Sequence, residues 1–260
     1  MIFESFSESL SFFLWSTFII AVILGVVVNK TNFCTMGAVS DMVNMSDYGR
    51  FRAWLLAIAV ATIGVSILEY MGLLSVSDSF PNYRGSQFIY LENILGGILF
   101  GIGMTYASGC GNKTLIRIGG GNIKSILVFI VIALIAYYMT TPFPDSDKTL
   151  YSVLFYGWVN PMAVTLDGNQ DIGALIGGSE NTEIMRLVAG LVVAGGMLFY
   201  IFKAADFRSS KDNILAGVAI GLIILAAWYI SSNIGVIADD SDYSLGEYYA
   251  EWDMLAESDE

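Results

Sequence analysis

Two cysteines are the residues with the most distinctive chemistry in this sequence. One lies in the segment Asn29-Lys-Thr-Asn-Phe-Cys34-Thr, and the other lies in Ser108-Gly-Cys110-Gly-Asn-Lys-Thr. Small, hydroxyl-bearing and amide-bearing residues surround both thiols, and each segment also contains a lysine. A thiol is a soft, weakly hydrogen-bonding group, which suits a sulphur-bearing ligand better than a hard oxyanion. The two segments are therefore candidates for ligand contacts.

The residues beside the thiols favour a small anion. Where a short helix begins, its unpaired N–H groups and the positive end of its dipole attract negative charge. Gly109 and Gly111 allow the backbone to approach a ligand closely. Lys113 and Arg117 are four positions apart and share a face if that stretch is helical. The predicted ligand-contacting residues are Cys34, Cys110, Lys30, Asn32, Thr35, Gly109, Gly111, Asn112, Lys113 and Arg117.

Simpler roles remain open for some of these residues. A cysteine in a membrane protein is often only a small buried apolar side chain. Lys30, Lys113 and Arg117 also fit residues that set membrane topology. Glu69 and Arg186 lie near the ends of predicted membrane spans, where we expect their charged groups to reach the interface.

Composition excludes several other kinds of site. The sequence contains no histidine and only two cysteines, which removes the commonest general base and the usual zinc-ligand patterns. It has no basic tract of the kind that binds nucleic acid. We therefore predict no metal, no cofactor, no nucleic-acid partner and no enzymatic activity.

The overall composition predicts a membrane protein. Apolar residues make up 55% of the 260 positions and charged residues only 14%, against about 25% charged residues in a typical soluble domain. Six stretches approach the roughly 20 apolar residues that cross a bilayer as a helix. We predict an all-α, polytopic protein in the lipid bilayer, with short re-entrant or broken segments around the cysteines. The spans run approximately over Phe12–Val28, Phe51–Leu74, Asn93–Ala107, Ile123–Thr141, Arg186–Lys203 and Ile214–Val236.

Basic residues predict the orientation of these spans. Nine of the twelve lysines and arginines fall on alternate connections, and only Arg84, Lys148 and Arg186 fall on the others. Because basic residues concentrate on the cytoplasmic side, we predict a bacterial inner-membrane protein with both cysteines near the cytoplasm and both termini outside. The N-terminus lacks the positive region of a signal peptide, so we expect the first apolar segment to be retained.

Glycine spacing and acidic residues suggest how the chain is organised. Gly97 and Gly101, like Gly217 and Gly221, lie one helical turn apart and predict close helix packing in lipid. We expect residues 1–236 to form one membrane domain. The acidic residues 237–260 are expected to form a disordered tail.

Three segments together resemble the YeeE/YedE family of sulphur-transport membrane proteins. The most specific is the glycine-rich run from Gly96 through Ser-Gly-Cys110 to Asn122, and the second is Lys30-Thr-Asn-Phe-Cys34. A weaker match runs from Gly217 to Trp228-Tyr229 and includes Gly235. The resemblance implies a helical pore that passes thiosulfate inward, with the thiols contacting the anion in turn and without covalent chemistry. It also implies basic roles for Lys30 and Arg117, and a soluble sulphur-carrier protein on the cytoplasmic side.

The sequence departs from the family pattern in its second half. Family members have two related halves, whereas no further Gly-Cys element follows Cys110 here. We therefore expect a separately encoded second half, another copy of the chain, or a truncated chain. Two alternatives to transport stay open: a membrane thiol–disulfide or sulphur-transfer enzyme, and a non-conducting subunit of a two-part transporter. Residue types alone do not separate thiosulfate from sulphite or selenium compounds.

Overall fold

The chain forms a helical bundle whose long helices are joined by short helices and small strands. The computed structural model describes residues 1–77, 84–144, 146–166, 168–178, 181–238 and 241–250. Within those ranges the helices are α1 (Phe6–Thr31), α2 (Thr35–Asn44), α3 (Gly49–Tyr70), α4 (Tyr90–Tyr106), α5 (Gly111–Gly119), α6 (Ile123–Thr140), α7 (Gly157–Val159), α8 (Ile172–Gly177), α9 (Thr182–Lys203), α10 (Ala205–Ser209), α11 (Lys211–Ser232) and α12 (Leu245–Ala250).

Six membrane-crossing helices are found among the described residues, which confirms the predicted all-α, multi-pass fold. They are built on α1, α3, α4, α6, α9 and α11. Helix α4 continues past a break into α5, and the two together span 30 residues. A short helix follows each cysteine, because α2 begins after Cys34 and α5 begins after Cys110. The predicted broken segments around the cysteines are therefore present.

The first helix begins before the predicted span because a polar residue caps it. The Ser5 side chain accepts a hydrogen bond from the Glu8 N–H at 3.3 Å, which satisfies one unpaired donor of the first turn. Glu8 also lies in that turn, where a negative charge is favourable. Helix α1 therefore starts at Phe6, whereas the apolar run alone predicted Phe12.

The centre of the bundle is the packing of α3 against α11 and α9. A Cβ added to Gly217 would lie 2.8 Å from the Ala53 carbonyl oxygen, and one on Gly221 would lie 2.8 Å from the Ala57 oxygen. Only glycine permits this separation, so the predicted close packing at these two glycines is confirmed. On the other side of α3, a Cβ at Gly190 of α9 would overlap the Ser66 hydroxyl.

The second predicted glycine pair does not pack in this way. A Cβ on Gly97 or Gly101 would meet no described atom within 4 Å. Among its described residues, α4 also has none that is buried. Within the described part of a single chain no helix packs on Gly97 and Gly101, so close packing at these two glycines stays a prediction.

Helix α1 lies along α11 and brings the first cysteine segment to the core. Val28 of α1 is buried with Ala57 of α3 and Ile220 of α11. Phe33 and Ile116, from the segment after α1 and from α5, pack against the same cluster. This apolar contact joins α5 to the end of α1.

A small sheet joins the two ends of the described chain. Strand β1 (Ile2–Phe3) pairs in parallel with β4 (Gly235–Ala238), which pairs antiparallel with β5 (Ser241–Ser244). The ring of Tyr248 stacks on Phe6 with centroids 5.0 Å apart. Part of the expected disordered tail, residues 241–250, thus forms a strand and a short helix because it packs on the N-terminal segment. Residues 239–240 and 251–260 lie outside the described ranges.

Short elements also cover the end of the bundle where α3 finishes. Strands β2 (Gln87–Phe88) and β3 (Val164–Thr165) pair antiparallel. Helix α8 packs tightly on α9, since a Cβ on Gly173 would lie 2.6 Å from the Arg186 backbone. This contact positions the N-terminus of α8 beside the first turns of α9.

We expect Gly221→Ala to loosen the α3–α11 contact. The added methyl group would lie 2.8 Å from the Ala57 oxygen and 2.7 Å from Val60 Cβ, and overpacking of this kind costs about 1–3 kcal/mol. Thermal unfolding of the purified protein in detergent measures the loss. Gly25→Ala is the matched control because its Cβ would meet no described atom within 4 Å. Equal unfolding temperatures for the two variants would contradict the packing described here.

Candidate functional site

The two cysteines, far apart in sequence, line the same small cavity. The cavity has a volume of about 50 Å³ and lies between the end of α1, the start of α2 and the start of α5. Both cysteines are free and partly buried. The lining residues are Val28, Phe33, Cys34, Thr35, Cys110, Asn112, Lys113 and Ile116. Five of the ten residues predicted to contact a ligand are among them.

The first cysteine reaches the cavity through a sharp helix end. Helix α1 closes with Asn32 in the left-handed conformation, at φ 51°, and the Asn32 N–H bonds to the Val28 carbonyl. Asparagine tolerates this conformation better than most residues. Cys34 is then extended and precedes the first turn of α2, where its Sγ accepts a hydrogen bond from the Gly37 N–H at 3.4 Å. The thiol therefore sits at the N-terminal end of α2.

The second cysteine reaches the cavity through a similar break. After α4, Ser108 has φ 57°, and buried Gly109 lies so close to Lys113 that a Cβ would be 3.0 Å from its side chain. Cys110 is extended, and its carbonyl accepts hydrogen bonds from both the N–H and the hydroxyl of Thr114. These contacts fix Cys110 at the start of α5.

The electrostatics of this cavity favour an anion. The first N–H groups of a helix have no partner within the helix, and two helices begin at the cavity. Lys113 adds a positive charge, and none of the described lining residues is acidic. The neighbouring carboxylate of Asp41 is instead paired with Arg50 at 2.5 Å. A small anion in this cavity would therefore contact only positively charged or neutral groups among the described lining residues.

The size of the cavity limits its ligand to a few atoms. One water requires roughly 10–15 Å³ by this measure, and drug-sized ligands occupy roughly 300–1,000 Å³. At about 50 Å³ the cysteine cavity lies nearer to the lower value. It suits a small inorganic ion and excludes a large organic substrate.

The other five predicted residues lie around the cavity and do not line it. Lys30 and Asn32 are exposed at the end of α1, and Gly109 is buried behind Lys113. Gly111 is the first residue of α5, and Arg117 lies in its last turn. Their contact with a ligand stays a prediction, as it does for the five residues that line the cavity.

Four charged residues that sequence reasoning did not bring together form a second cluster, the outer ion-pair cluster. It consists of Glu69, Arg84, Asp171 and Arg186, at the far end of α3 from the cysteines. Arg84 donates two hydrogen bonds to Glu69, and Arg186 donates two to Asp171 at 2.8 and 3.1 Å. The four side chains are only 12–16% exposed, so Glu69 and Arg186 are not the interfacial charges expected from sequence.

The ion pairs lower the pKa of Asp171 in this cluster. Burial raises the pKa of Asp171, but the hydrogen bonds from Arg186 and the Ala174 N–H, and the positive charges of Arg186 and Arg84, outweigh it. The net result is a pKa below the ordinary value for aspartate. Asp171 is therefore ionised in the folded protein at neutral pH.

Comparison with known proteins finds one family and several relatives. The profile of the sulphur transport family matches residues 30–254. The chain is 32% identical over 235 residues to a thiosulfate transporter, TsuA, of Escherichia coli strain K12, which covers 85% of this chain and 61% of that protein. It is 27% identical over 108 residues to a TsuA of Spirochaeta thermophila, covering 42% of this chain and 31% of that protein. The chain therefore spans about three fifths, or less, of these relatives.

We expect the stability contributed by Asp171 to disappear in acid. A carboxyl group whose pKa is lowered on folding stabilises the protein above its unfolded pKa of about 3.9, and this stabilisation is lost as the pH falls through the lowered folded value. The thermal unfolding temperature of the purified protein should therefore drop below about pH 4, and Asp171→Asn should flatten that drop. Asp206→Asn is the matched control, because Asp206 pairs with Arg52 but is 73% exposed. Identical acid profiles for the parent and Asp171→Asn would exclude this contribution.

We also expect Cys34 and Cys110 to be joined by a short bifunctional thiol reagent, because both line one cavity. Mass spectrometry of the digested protein identifies the joined peptides. A double variant, Cys110→Ala with Thr105→Cys, should give no such link, since Thr105 is exposed on α4 outside the cavity. Single labelling of each thiol in the parent, without any link, would show that the two cysteines do not meet.

Proposed function

Because the chain belongs to the sulphur transport family, we propose that it carries thiosulfate or a related sulphur-containing anion across the bacterial inner membrane. One observation carries the proposal: two thiols from distant parts of the sequence line one small cavity at the starts of two helices, and none of its described lining residues is acidic. The relatives named as thiosulfate transporters support the same substrate.

In this proposal the helix starts bind the oxygen atoms of the anion, and the thiols bind its sulphur atom. The oxygen atoms of thiosulfate carry negative charge and would interact with the first N–H groups of α2 and α5 and with Lys113. Its terminal sulphur would accept weak hydrogen bonds from the thiols. The Sγ of Cys34 already accepts from the Gly37 N–H, which leaves its S–H proton for the ligand. Weak contacts of this kind let an ion leave as easily as it binds, as conduction requires.

The basic residues propose which end of the path faces the cytoplasm, and the family resemblance implies inward transport. The cysteine cavity lies at the end of the bundle where most basic residues lie, so we place it on the cytoplasmic side. The two described chain ends meet in one small sheet at the opposite end and would face outward. The anion would then enter beside the outer ion-pair cluster and leave beside the cysteines, where a cytoplasmic sulphur carrier would receive it.

A second polypeptide, a second copy or a further part of the same protein would complete the path. The chain covers 61% of the Escherichia coli relative. Among the described residues, α4 has none that is buried, and Gly97 and Gly101 meet no neighbour within 4 Å. Small residues on a helix in lipid allow a partner helix to approach closely. The glycine face of α4 is therefore the surface on which we place this partner.

Another function is favoured by the same pair of thiols. Two free cysteines at one cavity could also serve a thiol–disulfide or sulphur-transfer enzyme. Such an enzyme would cycle its cysteines between free thiols and either a disulfide, formed by an external oxidant, or a persulfide, formed from thiosulfate with release of sulphite. Two free thiols in protein quenched with acid during turnover would exclude it, whereas transport requires no change in the count.

We expect Cys34→Ala and Cys110→Ala each to reduce thiosulfate uptake by about tenfold. A thiol is a weak donor, so its loss lies near the lower limit of the about 1.5–3 kcal/mol that a hydrogen bond to a charged group contributes, and about 1.4 kcal/mol changes a rate tenfold. Uptake is measured in an uptake-deficient bacterial host that expresses the chain. Thr140→Ala is the control, because it removes a hydroxyl group that bonds only within α6 among the described contacts.

The outcomes separate the proposals. Full uptake by both cysteine variants at normal membrane levels would contradict the cysteine-lined path. No uptake by the parent chain alone would favour the alternative of a non-conducting subunit that needs a second polypeptide.

A further inference from the structure

The outer ion-pair cluster surrounds a cavity that is separate from the cysteine cavity. Glu69 lies one residue from the C-terminus of α3, whereas Phe33, which lines the cysteine cavity, packs against the clusters that contain Ala53 and Ala57 in the first half of α3. At 1.5 Å per residue, α3 spans about 24 Å from Ala53 to Glu69. The two cavities therefore lie near opposite ends of the bundle.

The outer cavity is large enough for a small ligand. Its volume is about 360 Å³, which falls within the roughly 300–1,000 Å³ of small-molecule sites. Apolar side chains of α3 and α9, such as Val65 and Val193, form much of its wall, and Thr62 and Ser66 also line it. All four members of the outer ion-pair cluster line it. The cavity thus combines apolar walls with a few convergent charged groups.

The two arginines hold carboxylates in the way that they would hold an oxyanion. Arg84 forms a two-point contact with Glu69, and Arg186 directs two nitrogens to Asp171. Each arginine also lies 3.7 Å from the carboxylate of the other pair. That distance exceeds the usual 2.7–3.2 Å of an N–H···O hydrogen bond. Two guanidinium groups therefore converge on one region in which carboxylate oxygens currently provide the negative charge.

We propose that the outer cavity is an anion-binding site in which a small divalent oxyanion competes with Glu69 and Asp171 for Arg84 and Arg186. The identity of this anion as the transported substrate rests on the proposed function. Planar guanidinium groups bind oxyanions through paired hydrogen bonds. Because the cluster of two arginines and two carboxylates is neutral, the anion must displace a carboxylate in order to bind. Displacement keeps the binding weak and exchangeable, as a first site on a transport path requires.

A purely structural cluster and a binding site respond differently to Asp171→Asn. Asparagine retains an oxygen that can accept the Ala174 N–H bond, which Asp171 accepts at 2.8 Å, so the cap of α8 is kept. The substitution removes the carboxylate that competes for Arg186. A binding site should then take up external anions more tightly, whereas a structural cluster should only lose stability.

The experiment measures binding of sulfate and of thiosulfate to the purified full chain in detergent at constant ionic strength. Calorimetry and the anion-dependent rise in unfolding temperature are recorded against chloride. We expect both anions to bind the parent, and Asp171→Asn to raise their affinity by about tenfold or more, the size of a typical coupling between linked binding events. Asp206→Asn, at the exposed pair with Arg52, should match the parent.

A double variant that removes one positive and one negative charge shows whether loss of anion binding comes from loss of folding. Arg186→Gln combined with Asp171→Asn removes one arginine without leaving an unpaired charge at that pair, and it should abolish the anion response while the protein remains folded. The proposal is overturned if the parent, Asp171→Asn and the double variant respond equally to sulfate and chloride. It is also overturned if Asp171→Asn binds either anion no more tightly than the parent.

A further variant separates this proposal from the cysteine path. Cys34→Ala with Cys110→Ala should abolish uptake and leave sulfate binding at the outer cavity unchanged. If uptake depends on the cysteines but the outer cavity shows no change on addition of sulfate or thiosulfate, only the proposed outer anion site is rejected. If the outer cavity binds the anions but the cysteine variants take up thiosulfate normally, only the proposed cysteine-lined path is rejected.

Discussion

The close approach of α3 to α11 and α9 is the contact on which the other elements depend. In lipid, no hydrophobic force favours one helix neighbour over an acyl chain, so helices associate through packing of small residues and polar contacts. Gly217 and Gly221 bring α11 within direct contact of α3 carbonyl groups, and Gly190 brings in α9. Helix α1 then packs on α11 and carries the first cysteine segment to the N-terminal half of α3. The far end of the same helix carries Glu69 into the outer ion-pair cluster.

These two ends have different chemistry, which fits a route for a sulphur-containing anion. At the outer end, two guanidinium groups are balanced by carboxylates, and in the proposed site they would recognise the oxygen atoms of an anion. At the cysteine end, helix starts and Lys113 supply the positive environment, and the thiols would contact sulphur in the proposed function. On such a route the outer site would bind small anions in general. The cysteine site would then distinguish sulphur-containing anions from the others. The small volume of the cysteine cavity supports that order.

Sequence reasoning succeeded where a local pattern determines the structure. Apolar runs of membrane length predicted the six long helices, and polar, glycine-rich interruptions predicted the helix breaks at Cys34 and Cys110. Spacing alone could not distinguish Gly217 and Gly221, which pack against α3, from Gly97 and Gly101, which meet no described neighbour. The difference lies in which helix stands opposite, and that is a property of the whole bundle. The outer ion-pair cluster was missed for the same reason. Each of its hydrogen-bonded pairs joins a helix residue to a residue 15 positions away in a connecting segment, and the fold of that segment has no periodic signal.

The most direct measurement of the central claim is the rate at which a maleimide alkylates each cysteine in membranes that contain the chain. Single-cysteine variants report on Cys34 and Cys110 separately. If the thiols contact the anion, thiosulfate should slow the labelling of both, and sulfate at the same ionic strength should slow it far less. Labelling rates that are unchanged by thiosulfate, or that sulfate slows as much as thiosulfate does, would contradict a cysteine-lined path for a sulphur-containing anion.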